Sequence, residues 1–126
     1  MLNIFFMIKV YFLSSCSTCK SILKTWNLRD GLTTIDIKKA PLDEKDLKEL
    51  YSISNNYEVL FNKRAIMFRD LKKKITIFKE NDYKKLLLSH YSFLKRPVLL
   101  INKKLFIGNS KETVSQAVLE LKKKFN

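Results

Sequence analysis

Glycine and proline are scarce in this chain of 126 residues, two of each, and there are only two cysteines, one histidine and one tryptophan. So little glycine and proline excludes collagen-like repeats and flexible linkers. Two cysteines are too few for a secreted disulfide scaffold. A zinc site would need two ligands beyond that pair, and His90 is the one other soft or imidazole candidate, so no metal is expected. Long apolar runs are missing as well: Leu2 to Leu13 is interrupted by Asn3 and Lys9 and falls short of the ~20 residues a membrane span requires. Acidic residues are outnumbered, 12 against 25 basic, for a formal net charge of +13.

That charge attracts polyanions and acidic protein surfaces. It is carried mostly by lysine, the only arginines being Arg29, Arg64, Arg69 and Arg96, and readout of bases and phosphates leans on the arginine fork. Direct nucleic-acid binding is therefore not expected. Lys, Asn, Ile and Phe share A/T-rich codons, and a biased genome would supply much of the excess. Leu13-Ser14-Ser15-Cys16 resembles a bacterial lipoprotein cleavage site, but no positive charge precedes the apolar run and Lys9 falls inside it. Met1 to Phe6 reads instead as an extension before a strand that begins near Met7.

Ile8 to Leu13 is β-branched and aromatic, apolar on both faces, which predicts a central strand. Ser14 to Thr18 is a polar loop. Cys19 to Trp26 follows as a helix with Ile22, Leu23 and Trp26 on its buried side. Asn27 to Leu32 is a turn, and Thr33 to Ile37 a second strand in parallel, right-handed connection. A helix starts at Pro41, with Asp43 and Glu44 in its first turn and Leu47, Leu50 and Tyr51 on one face. Tyr57 to Phe61, Ala65 to Leu71 and Asn81 to Tyr91 are further helices, and only Ile75 to Phe78 in this region has a sheet-like composition. Pro97 to Ile101 and Leu105 to Ile107 form a hairpin across Asn102-Lys103-Lys104. Ser110 caps a last helix, Lys111 to Lys124, whose Val114, Ala117, Val118 and Leu121 recur at helical spacing. The expectation is a single domain over residues 1–126, with helical layers around a four-stranded mixed sheet and a helical insertion at about 41–93.

Cys16-Ser17-Thr18-Cys19 sits where the first strand turns into a helix. Unpaired amides and the helix dipole favour a thiolate at Cys16 there, and Cys19, one turn on, is placed to close a disulfide. Lys20 adds positive charge. Arg96-Pro97 opens the third strand. Thioredoxin-like folds place such a proline, which can be cis, opposite the reactive thiol, so Arg96 is expected to point toward Cys16. Arg64, in the turn Asn62-Lys63-Arg64, is a second cationic candidate, with helix capping as the plainer alternative. His90 reads as a packing residue at a helix end, and Trp26 as core.

Three segments together resemble the arsenate reductase (ArsC)/Spx family: Val10 to Lys20 around the cysteine pair, Leu60 to Arg64 with Phe68-Arg69, and Phe93 to Leu100 with Phe106-Ile107-Gly108. The resemblance implies a thioredoxin-like (glutaredoxin-like) α/β fold with a helical subdomain inserted in it. It implies an arsenate reductase-like enzyme of the bacterial cytoplasm, with Cys16 as nucleophile, Cys19 as resolving thiol and Arg96 binding an oxyanion. Lys20, Arg64 and Pro97 would line a site for a small oxyanion or thiol substrate. No bound cofactor is implied; glutathione, or a glutaredoxin or thioredoxin, would supply electrons to what is expected to be a monomer. The family's single-cysteine enzymes have serine where this chain has Cys19, and two of their oxyanion arginines fall near Asn62 and at Gly108. The cysteine pair looks like that of Spx, a redox-sensing regulator that binds the RNA polymerase alpha subunit, which is the alternative reading.

Overall fold

The computed structural model describes residues 8–28, 33–40 and 42–125. In chain order its regular elements are β1 (Ile8–Phe12), α1 (Ser17–Trp26), β2 (Thr33–Asp36), α2 (Glu44–Ser54), α3 (Ile66–Lys74), α4 (Glu80–Ser89), β3 (Val98–Ile101), β4 (Lys104–Ile107) and α5 (Lys111–Phe125). Single 3-10 turns lie at Glu58–Leu60 and Tyr91–Phe93. Two compact units result: the chain up to Asp36 together with Arg96 onward, and Ile37–Lys95. The expected segments at Met1 to Phe6 and Met7, most of the turn from Asn27 to Leu32, and Pro41 lie outside the described residues.

The first unit is built on a sheet in the order β2-β1-β3-β4. β1 runs parallel to β2 and antiparallel to β3, and β3 and β4 form an antiparallel hairpin. β1 takes an inner place because both of its faces are apolar. Ile8 and Val10 are buried on one, Tyr11 and Leu13 on the other, and an edge position would leave such a strand half exposed. Ile8 and Val10 join Leu99 and Ile101 of β3 under Ile22 and Trp26 of α1 and Ala117 and Leu121 of α5. Each of the larger aliphatic side chains among these contributes about 1.5–3 kcal/mol through its removal from water. The Trp26 indole Nε1–H donates to the Val114 carbonyl at 3.2 Å and fixes α1 against α5. Asn102 turns the hairpin at φ 52°, a left-handed conformation that asparagine tolerates.

The second unit is helical, and its centre is aromatic. Phe61 lies 4.8 Å from Phe68, 4.9 Å from Tyr83 and 5.3 Å from Phe93, ring centre to ring centre. Leu47 and Leu50 of α2 and Leu87 of α4 are buried. The segment from Tyr57, expected to be helical, gives one 3-10 turn, after which Phe61 pairs as an isolated bridge with Leu94. The Asn62 amide donates to the Phe93 carbonyl at 2.7 Å and the Lys95 amide to that of Leu60 at 2.8 Å. Ile75 to Phe78 is a loop and not a strand: Phe78 turns in against Phe68 at 4.8 Å while Ile77 faces outward, and among the described residues no strand pairs with it. Asp43 caps α2, its Oδ1 accepting from the Asp46 amide at 2.8 Å. Asp43→Ala is expected to lower the stability of the chain by about 1 kcal/mol in urea unfolding, since one amide of the first turn loses its acceptor.

Candidate redox site

Cys16 lies one residue before α1 and caps it. Its backbone is extended (φ −101°, ψ 111°), and its Sγ accepts from the Cys19 amide at 3.5 Å. The helix therefore begins at Ser17, two residues earlier than the sequence pattern marks, because the thiol takes the place that serine or aspartate usually fills at a cap. The turn into the helix is closed by the Cys16 amide donating to the Leu13 carbonyl at 3.0 Å. Across the sheet, Asp36 at the end of β2 accepts from the Ser14 amide through Oδ1 at 3.2 Å. Asp36 was not singled out from sequence. Parallel pairing of the first two strands was expected, however, and it sets the end of β2 beside this loop.

Cys16 is partly exposed, Cys19 fully buried, and the two stand 3.8 Å apart as free thiols. Their environments push them in opposite directions. At Cys16 burial is the largest single influence and opposes ionisation. The donors at Cys19, backbone and side chain, the Arg96 guanidinium and the Thr18 amide together outweigh it, and the thiol lies below its ordinary value. At Cys19 burial again leads, now reinforced by the charge and hydrogen bond of Cys16, and it is opposed only in part by Leu13 and Arg96. Its pKa is pushed up to about 11. One sulfur is prepared to be an anion and its neighbour is held as a thiol.

Arg96 and Pro97 belong to the same end of the sheet. Tyr11 pairs with Val98, so the antiparallel register sets Pro97 level with Phe12, and Arg96 level with Leu13, where the loop to Cys16 begins. The Arg96–Pro97 peptide bond is cis, and Gly108 donates its amide to the Pro97 carbonyl at 2.9 Å. Lys20 is exposed on α1. Arg64 lies in the helical unit, exposed, with its amide held by Asn62 Oδ1 at 3.1 Å. Asn62 also donates its side-chain amide to the Ser92 carbonyl at 3.2 Å. That residue ties two loops together, work for which a short amide suits and an arginine would not. Among the described residues no three or more His, Cys, Asp or Glu side chains gather as a metal site, and no helix is long and apolar enough to cross a membrane.

A mixed sheet with an antiparallel hairpin, α1 springing from its central strand and a cysteine pair opening that helix define a thioredoxin-like fold. Residues 11–117 match the ArsC family, and the chain belongs to it. It is 29% identical over 112 residues to the global transcriptional regulator Spx 2 of Bacillus anthracis, with 86% of this chain and 84% of that one covered. Among solved structures it is similar to an arsenate reductase (ArsC) related protein from Brucella melitensis: 25% identity, TM-score 0.62, 86% of this chain and 92% of that one. It is also similar to an arsenate reductase from Vibrio cholerae, with TM-score 0.68 over 90% of this chain and 96% of that one. At 15% identity the latter likeness shows the fold alone.

Proposed function

We propose that the chain is a thiol–disulfide oxidoreductase of arsenate reductase type, in which Cys16 attacks and Cys19 resolves. The observation that carries this reading is the split between the two thiols: Cys16 lowered and accessible, Cys19 buried and raised to about 11. With arsenate, the Cys16 thiolate forms a sulfur–arsenic bond, and an arsenate hydroxyl takes up the proton that the Cys16 thiol released and leaves as water. Cys19 then gives up its proton and attacks the Cys16 sulfur. The electron pair of the sulfur–arsenic bond passes to arsenic, which leaves as arsenite with the Cys19 proton on one of its oxygens, and a disulfide remains. Two thiols are oxidised for each arsenic reduced from the pentavalent to the trivalent state. Once Cys16 is bonded, its charge no longer holds Cys19 in the thiol form, so the second step is eased by the first. Arg96 would anchor the oxyanion, and Pro97 and Lys20 would line its site. Glutathione, a glutaredoxin or a thioredoxin would reduce the disulfide in the cytoplasm.

The test is arsenite release from arsenate with glutathione and glutaredoxin supplied. Wild-type chain is expected to turn over and Cys16→Ser to show none; equal rates in the two would refute the assignment. The likeness to Spx 2 favours a second reading, a redox switch without turnover that binds the RNA polymerase alpha subunit. It predicts binding in one redox state of the Cys16–Cys19 pair, and equal binding in both states rejects it.

A further inference from the structure

The far edge of the sheet carries features that the cysteine chemistry does not use. β4 is an end strand, and among the described residues it pairs only with β3. Because the Gly108 amide donates to Pro97 across the hairpin at 2.9 Å, antiparallel alternation turns the main chain of Phe106 and Lys104 toward β3. The N–H and C=O groups of Leu105 and Ile107 then point away from the sheet.

Beside this edge, β4 and α5 enclose a groove of about 620 Å³, lined in part by Lys104, Phe106, Leu119, Lys122 and Lys123. Leu119 is 54% exposed, a large apolar side chain set among lysines. The groove's one carboxylate, Glu120, is buried and already paired, with Lys104 Nζ at 3.0 Å and Lys123 Nζ at 4.0 Å. Whatever enters the groove meets an apolar floor and a surplus of positive charge.

We propose that β4 and the adjoining face of α5 dock an extended acidic segment of a partner protein, which adds to the sheet as a fifth strand. Main-chain bonds to Leu105 and Ile107 would hold it. Alternate side chains of such a strand face the same way. An apolar residue can therefore lie between Phe106 and Leu119, with carboxylates on either side of it toward Lys122 and Lys123. A second copy of this chain fits poorly, since pairing the edge with itself would bring two lysine-rich surfaces together in a chain of net charge +13. Nucleic acid would leave Leu119 unused and finds no arginine among the groove's lining residues. Lys104 as a mere guard against edge-to-edge aggregation also leaves the exposed leucine without a role.

The probe is the peptide acetyl-Glu-Glu-Thr-Leu-Thr-Glu-Glu-amide, whose leucine has a glutamate on either side along its own face, titrated into the full nitrogen-15-labelled chain and followed by amide shifts. Shifts confined to residues 104–108 and 116–123 are expected, with the Leu105 and Ile107 amide protons moving downfield. Leu119→Glu and, separately, Lys122→Glu should each weaken binding at least about tenfold while the dispersion of the spectrum is kept. Should the leucine variant misfold, the exposed lysine variant still decides. An equal response to the peptide with lysine in place of glutamate would overturn the proposal. So would shifts scattered over lysines of both units, no response at millimolar peptide, or tighter binding of a ten-nucleotide oligo-dT to the same residues.

Discussion

Cys16→Ser is expected to slow alkylation by iodoacetamide at pH 7 by one to two orders of magnitude and to abolish disulfide formation within the chain. The thiolate is the reacting species. A thiol at its ordinary value near 9.0 is about 1% ionised at pH 7, and Cys16 lies below that value, so at least about 1% of it reacts. Cys19, at about 11, is ionised to roughly 0.01% at the same pH. Two corrections act in opposite senses. A thiolate of higher pKa is the better nucleophile, by about eightfold over two pKa units with a Brønsted slope near 0.45. Against this, Cys19 is fully buried, which restricts the reagent's access and slows it further. Removing Cys16 also removes its charge, so the remaining thiol drops somewhat below 11, but burial leads the influences on it and persists. Ionisation and burial prevail. Labelling followed by mass spectrometry checks this, and a serine variant that labels as fast as wild type would move the reactive sulfur to position 19. Cys19→Ser should keep labelling within a few-fold, because serine also offers Cys16 a hydroxyl donor.

Much of this site was legible because its position follows from the pattern of apolar residues. A strand apolar on both faces must be central, and a cysteine pair directly after it must lie where strand gives way to helix. The burial of Cys19 had a sequence signal that the helix reading passed over. Cys19, Ile22 and Trp26 are spaced by three and four residues, and all three are buried, so the apolar stripe begins at the cysteine and not at Ile22. Asp36 and Asn62 are different. Asp36 reaches an amide 22 positions away, and Asn62 bonds across to Ser92 and Phe93. Only chain folding makes such pairs, and neither residue type is unusual where it stands. Glu120 is likewise a lone acid beside the apolar stripe of α5, and its burial makes sense only once Lys104 is known to lie opposite.

Arg96→Gln is expected to move the midpoint of Cys16 ionisation toward higher pH. Arginine stays charged throughout the accessible range, and its charge favours the thiolate form of Cys16. Without it, burial is opposed only by the donors at Cys19 and Thr18. Cys16 and Arg96 are both partly exposed, so the attraction is screened and is worth on the order of 1 kcal/mol. The thiolate fraction below both midpoints should therefore fall about fivefold and, after the gain in nucleophilicity of a more basic thiolate, the labelling rate about two- to threefold, while Arg96→Lys retains most of the wild-type rate. The sign for stability follows from linkage. A thiol lowered in the folded chain adds stability that is present above its unfolded value and lost as pH falls through its folded one. Arg96→Gln should flatten that part of the stability profile of the reduced chain. If Arg96 also anchors an oxyanion, arsenate will protect Cys16 from iodoacetamide in wild type and not in Arg96→Gln. A midpoint that moves without loss of protection would leave the arginine an electrostatic partner of the sulfur alone. A midpoint and a stability profile that both stay in place would take it out of the site.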